Sequence, residues 1–126
     1  VIRTFHIRVG SNSGPIPNEV SWDFVTNFSG YPTRVEEKTS VSKTIRRVAL
    51  FDYDQVVRAA FMNSATDVVL TGLDYHSYKN YGVSEYNKLT PYTRSFIEAV
   101  SSSLPFARMQ FFSTGPELEH MITPSF

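Results

Sequence analysis

The order of apolar runs and helix-starting signals is the feature that most constrains the fold of this chain. Residues 68–70 are a short apolar run, which is typical of a strand buried on both faces of a parallel sheet. Asp52, with Gln55 three residues later, forms a capping-box pattern that starts one helix. Thr90 followed by Pro91 predicts the start of another. The order strand, loop, helix, strand, helix, strand therefore predicts an α/β fold with parallel strands.

The rest of the pattern adds three elements. We expect a strand of alternating residues at 4–9, a short helix at 18–28 and a last strand at 108–113. In the short helix, the residues at helical spacing are Val20, Phe24 and Phe28. In the two capped helices, the inward faces would be formed by Val56, Val57, Ala60 and Phe61, and by Phe96, Ile97, Val100 and Leu104.

Three connecting segments are candidates for a binding site. Residues 34–47 are polar, charged and rich in hydroxyls, which predicts a mobile surface loop of the kind that closes on ligands. Residues 71–74 and 113–116 are turns that each follow a predicted strand. Because ligands of open α/β sheets bind beyond the carboxyl ends of the strands, we expect a site at these two turns.

Composition excludes several classes of function. Lys plus Arg and Asp plus Glu number 12 each, so the chain has no electrostatic footprint for nucleic acid or an anionic membrane. It has no cysteine, which excludes disulfides and cysteine-ligated metal, and it has no apolar run of membrane-spanning length. The three histidines lack metal-ligand spacing. We expect a cytoplasmic protein with neither a nucleic acid nor a membrane as partner.

Short motifs follow one another along nearly the whole chain. They are Arg-Val-Gly at residues 8–10, Gly-Pro-Ile-Pro at 14–17, a hydroxyl-rich loop ending in Arg-Arg at 40–47, Asp52 at a helix start, Leu-Thr-Gly-Leu-Asp at 70–74 and Ser-Thr-Gly-Pro-Glu at 113–117. In this order they resemble the last third of the adenylosuccinate synthetases. The resemblance implies part of a larger, mostly parallel sheet with flanking helices. It also implies that residues 1–126 are a C-terminal segment, inactive alone, and that the N-terminal catalytic part is absent.

The resemblance implies a ligase reaction. Enzymes of this family phosphorylate the 6-oxygen of IMP with a nucleoside triphosphate, usually GTP, and the amine of aspartate then displaces the phosphate. Phosphorylation is needed because a phosphorylated oxygen leaves far more readily than an oxo group. The resemblance further implies GTP or ATP as donor, Mg²⁺ held by ligands in the N-terminal part, and a homodimer. We expect neither a catalytic residue nor a metal ligand in this chain.

Three groups of binding residues are implied as well. The aspartate loop would be formed by Ser40, Val41, Ser42, Lys43, Thr44 and Arg46. Backbone contacts to the purine monophosphate would come from Val9 and Gly10. The base of the triphosphate would contact Gly72, Asp74, Ser113, Gly115 and Pro116. Taken without the resemblance, Arg46 fits a solvated basic loop and Asp74 fits a turn cap, and both alternatives stay open.

Two positions depart from the family pattern. Lys43-Thr44 replaces a Gly-Arg pair whose arginine touches both the aspartate and the ribose 2′-hydroxyl, and Gly72 replaces a lysine that packs along the base. The short connection from Asp74 to Pro91 resembles archaeal enzymes and a viral branch that uses deoxyguanylate, often with ATP, to make the 2-aminoadenine precursor. Loss of the 2′-hydroxyl contact favours that branch, in the host cytoplasm. An IMP-using enzyme and a non-catalytic α/β binding module remain the alternatives.

Overall fold

A computed structural model describes residues 1–10 and 13–123. The strands are β1 (Ile2–Arg3), β2 (His6–Arg8), β3 (Glu19–Val20), β4 (Arg47–Ala49), β5 (Asp67–Thr71), β6 (Arg108–Ser113) and β7 (Met121–Ile122). The α-helices are α1 (Trp22–Ser29), α2 (Tyr53–Met62), α3 (Leu73–His76) and α4 (Pro91–Ser103). Within the described ranges, no helix has the length and apolar character needed to cross a membrane.

The larger sheet has the strand order β1-β5-β6-β7. Its central strand β5 runs parallel to both neighbours, and β7 pairs antiparallel with β6 at the edge. Val68 and Leu70 of β5 are buried against α2 and α4, as the apolar run predicts. The expected α/β fold with a mostly parallel sheet is therefore confirmed.

The caps place both long helices where they were expected. The side chain of Asp52 accepts the backbone N–H of Gln55 at 3.1 Å, and that of Thr90 accepts the backbone N–H of Thr93 at 3.2 Å. The capping box is only half formed, because the backbone N–H of Asp52 donates to Nε2 of His6 at 2.9 Å. The ring of His6 therefore ties the start of α2 to β2.

The strand expected at residues 4–9 was wrong in its extent. The chain bends at Thr4, whose backbone N–H and hydroxyl both donate to the carbonyl of Thr71 at 2.9 Å. β1 thus stays in the larger sheet, whereas β2 joins a second, antiparallel sheet of order β2-β4-β3. Next to the bend, Phe5 is buried with Trp22, Val25 and Val48, whereas Val9 is exposed.

The predicted inner faces of α1 and α2 need correction. Ser21 is the N-cap of α1, so Val20 lies outside the helix, and the spacing from Trp22 turns Val25 toward the core. Phe24 and Phe28 are consequently about 40% exposed on the other side (41% and 42%). In α2 the buried residues are Val56 and Ala60, while Phe61 is exposed.

Candidate functional site

A cleft of about 540 Å³ opens beyond the carboxyl ends of β5 and β6. It is lined by all five residues expected to contact the base of a triphosphate, namely Gly72, Asp74, Ser113, Gly115 and Pro116. Its other walls come from β1, residues 31–37 and α3. The structure thus brings together two turns that lie about forty residues apart, because β5 and β6 are parallel neighbours.

Asp74 lies at the buried side of this cleft. Gly72 occupies the N-cap of α3 with φ +81°, so Asp74 is inside the first helical turn and is not the cap. Its side chain is buried and accepts a hydrogen bond from the hydroxyl of Tyr31. Burial raises the pKa of the Asp74 carboxyl, and the bond from Tyr31 opposes that rise.

Tyr31, whose hydroxyl bonds Asp74, packs against three further tyrosines, and the sequence motifs include none of the four. The ring of Tyr31 lies 4.5 Å from that of Tyr78, 6.1 Å from that of Tyr75 and 6.3 Å from that of Tyr81, measured between centroids. Tyr75, Tyr78 and Tyr81 recur at every third position, and this periodicity in the sequence could have identified them. Tyr31, Tyr75 and Tyr81 line the cleft and give it an aromatic wall on which a planar ring can stack.

Glu37 connects the cleft with the loop at residues 38–45. Its carboxylate accepts hydrogen bonds from the guanidinium of Arg3 and, at 2.8 Å, from the hydroxyl of Tyr75. Nη1 of Arg46 is 4.0 Å from the second carboxylate oxygen, and the carbonyl of Glu37 accepts the backbone N–H of Arg46 at 2.8 Å. Burial and the charge of Glu37 raise the pKa of Tyr75, so its hydroxyl stays a donor.

The loop expected to bind aspartate is a compact turn. Lys38 and Ile45 pair across its base, and the backbone N–H of Lys43 donates to the carbonyl of Thr39 at 3.1 Å. The hydroxyl of Thr39 bonds that of Ser42 at 2.6 Å and accepts the N–H of Thr44 at 3.0 Å. Lys43 has φ +56°, which explains why the family pattern has glycine at this position.

Most of the side chains on this loop point outward. Ser40, Val41, Ser42 and Lys43 are exposed, whereas Thr44 is half-buried. The main chain of Arg46 is fixed by the indole N–H of Trp22, which donates to its carbonyl at 2.8 Å. Among the described residues, the buried Nε of Arg46 has no hydrogen-bond partner. The guanidinium of Arg46 thus has donor capacity left over for an anion.

Gly10 lies directly against this loop. A Cβ on Gly10 would stand 2.3 Å from the carbonyl oxygen of Ile45 and 2.7 Å from Cγ2 of Thr44. Only glycine fits such an approach. The structure therefore brings the residues expected at the purine monophosphate, Val9 and Gly10, beside the residues expected at aspartate.

The described residues offer no metal centre. Within residues 1–10 and 13–123, no group of three or more His, Cys, Asp or Glu side chains could hold a metal ion. His76 is buried and bonds the hydroxyl of Thr93 through Nδ1 at 2.8 Å, so it supports α4 rather than the cleft.

No family model matches the chain. Among curated proteins, it is 35% identical over 122 residues to the adenylosuccinate synthetase of Methanocaldococcus jannaschii, covering 97% of the chain and 33% of that protein. It is 34% identical over 122 residues to the adenylosuccinate synthetase of Archaeoglobus fulgidus, covering 97% and 34% respectively. The chain thus spans about a third of the length of the curated relatives it matches.

Two solved structures share the fold. The fully ligated adenylosuccinate synthetase from Plasmodium falciparum matches with a TM-score of 0.79 at 16% identity, over 99% of the chain and 39% of that protein. The cyanophage S-2L succinoaminodeoxyadenylate synthetase, bound to dGMP and to dATP as an energy donor, matches with a TM-score of 0.62 at 23% identity, over 98% and 32%. Along 97% of its length the chain is therefore similar in sequence to adenylosuccinate synthetases, and it shares its fold with the solved enzyme from Plasmodium falciparum.

Proposed function

We propose that this chain is the C-terminal segment of a ligase that joins L-aspartate to C6 of a purine nucleoside monophosphate and hydrolyses a nucleoside triphosphate. The observation that carries the proposal is the single cleft lined by all five residues that the family resemblance assigns to the base of the triphosphate. Its buried carboxylate suits a ring that presents N–H donors, and its tyrosines suit a planar ring.

The second site in the proposal is the junction of Gly10 with the aspartate loop. Arg46 carries a planar fork of donors that matches a carboxylate bidentately. Because Gly10 touches Thr44 and Ile45, a purine held at Gly10 would lie beside an aspartate held at the loop. Holding the amine close to C6 lowers the barrier for displacement of the 6-phosphate, since two reactants are then joined in one complex.

Phosphoryl transfer requires groups beyond those described. The proposal takes GTP or ATP as the donor and Mg²⁺ as the metal that neutralises the phosphates. The described residues do not form a metal site. We propose that its ligands, the phosphate-binding loop and the catalytic base belong to the rest of the protein, which acts as a homodimer, and that this segment alone is inactive.

We propose deoxyguanylate as the monophosphate, so that the product is N6-succino-2-amino-2′-deoxyadenylate. Thr44 is too short to reach the ribose 2′-hydroxyl that the family arginine contacts, which favours a sugar without that group. A solved neighbour of the same fold is bound to dGMP. IMP is the alternative substrate, and a non-catalytic binding module is the alternative function.

An activity assay of the full-length protein tests the proposal. The protein is incubated with aspartate and Mg²⁺, with deoxyguanylate or IMP, and with ATP or GTP, and the products are identified by mass spectrometry. We expect the succino adduct of deoxyguanylate to form faster than that of IMP. Faster conversion of IMP would support the ordinary synthetase. Ligand binding without any adduct would support the binding module.

A further inference from the structure

The hydrogen bond from Tyr31 to Asp74 suggests a role that none of the sequence motifs assigns. The two residues are 43 positions apart, and the tyrosine hydroxyl donates to Oδ2 of the buried carboxylate inside the cleft. Tyr31 lines the same cleft as Gly72, Ser113 and Pro116. Any base that reaches Asp74 therefore meets a carboxylate with one oxygen already engaged.

This matters because the two purine bases present different edges to a carboxylate. Guanine offers two neighbouring donors, the ring N1–H and the exocyclic amino group, and pairs best when both carboxylate oxygens are free. Adenine offers one exocyclic amino group on its corresponding edge, where N1 is an acceptor, and one free oxygen is enough. The Tyr31 hydroxyl occupies one acceptor site of Oδ2 and so weakens that oxygen as an acceptor for guanine, whereas adenine can use Oδ1 alone.

Both the backbone and the ring of Tyr31 are fixed by neighbouring residues. Gly30 ends α1 in the left-handed region with φ +80°, and the backbone N–H of Tyr31 donates to the hydroxyl of Ser29 at 3.3 Å. Its ring packs against Tyr78 and Tyr75. Breaking its bond to Asp74 would leave a buried carboxylate without this donor, which costs free energy.

We propose that Tyr31 is a specificity-determining residue that biases the cleft toward adenine nucleoside triphosphates and against guanine nucleoside triphosphates. It does so by keeping one oxygen of Asp74 engaged. The inference rests on the proposed function, because it assumes that the cleft receives the base of the phosphoryl donor.

The test compares the binding of ATP and of GTP to the full-length protein by calorimetry, before and after Tyr31→Phe. We expect Tyr31→Phe to lower the Kd of GTP about tenfold, the value of one good hydrogen bond, and to change the Kd of ATP less than about twofold. Tyr78→Phe is the matched control, since it removes a hydroxyl from the same aromatic cluster without touching Asp74. Tyr31→Leu, which removes ring and hydroxyl together, should shift the ratio in the same direction.

The outcomes separate the inference from the proposed function. An unchanged ratio of the two Kd values in both Tyr31 variants, or weaker GTP binding in them, would overturn the role of Tyr31 and leave the proposed function standing. Failure of the unaltered protein to bind either triphosphate would overturn the proposed function and the inference with it. A shift toward GTP in both Tyr31 variants that is absent in Tyr78→Phe supports the inference.

Discussion

The backbone of Gly10 is packed against the carbonyl of Ile45 so closely that a Cβ on Gly10 would stand 2.3 Å from that oxygen. The contact joins the chain just after β2 to the loop that we propose binds aspartate. The oxygen belongs to the main chain, so no rotamer change can relieve the clash. The position of the loop therefore depends on the absence of a side chain at residue 10.

Gly10→Ala should displace the aspartate loop from the end of β2. We expect the KM for aspartate and for the purine monophosphate to rise together by about tenfold or more, since an ångström of misplacement costs catalysis heavily. Gly30→Ala is the control, because a Cβ there meets open space and adds only backbone strain. Unaltered KM values in Gly10→Ala would separate residue 10 from both sites.

Arg46 should bind aspartate through bidentate hydrogen bonds from its planar guanidinium rather than through its charge alone. Lysine cannot reproduce its bidentate geometry, so we expect Arg46→Lys to raise the KM for aspartate nearly as much as Arg46→Ala does. Steady-state kinetics with varied aspartate give the comparison. Arg58→Lys, on the exposed side of α2, is the matched control and should change nothing. Full recovery by lysine would show that charge alone is needed.

Asp74 should contribute strongly to binding of the triphosphate. A hydrogen bond to a charged group contributes roughly 1.5–3 kcal/mol. We therefore expect Asp74→Ala to reduce discrimination between GTP and ATP, or to raise the KM of the preferred one, by about ten- to hundredfold. Asp54→Ala, an exposed carboxylate of α2, serves as the control. The assignment of Asp74 to the base would be withdrawn if every triphosphate kept its KM.

Local signals explain what could be predicted of the fold. The apolar run of β5 and the caps at Asp52 and Thr90 depend on neighbours within a few residues, and each element was found where expected. The second sheet was missed because it depends on pairing His6 with Ala49 and Glu19 with Ala49, across long stretches of chain. No short window of sequence contains that information.

The same distinction applies to the candidate site. The turns at residues 71–74 and 113–116 were assigned to one cleft because parallel neighbours place their carboxyl ends together. The bond from Tyr31 to Asp74 joins residues 43 positions apart, and the close approach of Gly10 to Ile45 arises from packing of separate layers. Both follow from tertiary contacts, for which the motifs hold no signal.

His76 should make stability depend on pH. Its ring is stacked between Tyr92 and Phe96 at 4.7 Å from each, and burial lowers its pKa from 6.5 to about 4. The unfolded chain then binds a proton more readily than the folded one, so stability is lost as pH falls from about 6.5 toward 4. The loss reaches up to about 3 kcal/mol.

Urea unfolding of the protein and of His76→Phe at several pH values measures this contribution. We expect the unfolding free energy of His76→Phe to fall less steeply between pH 6.5 and 4, because phenylalanine keeps the stacking and takes up no proton. His120→Gln is the control for a general loss of a histidine. Parallel curves for the unaltered protein and His76→Phe would contradict the burial effect.

Thr44 should determine the preference between ribose and deoxyribose. Cγ2 of Thr44 packs toward Gly10, so residue 44 lies at the junction where the sugar of the monophosphate is proposed to bind. We expect the unaltered protein to use a 2′-deoxynucleotide at least as well as its ribose counterpart. Thr44→Arg should shift kcat/KM toward the ribonucleotide by about tenfold, if one hydrogen bond of roughly 1.4 kcal/mol is regained.

Lys43→Ala is measured beside it, because Lys43 is exposed on the same loop and offers the alternative cation. If Lys43 has taken over the arginine's role, Lys43→Ala will weaken use of aspartate and Thr44→Arg will leave the sugar preference unaltered. A strong preference of the unaltered protein for the ribonucleotide would end the deoxynucleotide proposal and leave the ligase proposal intact.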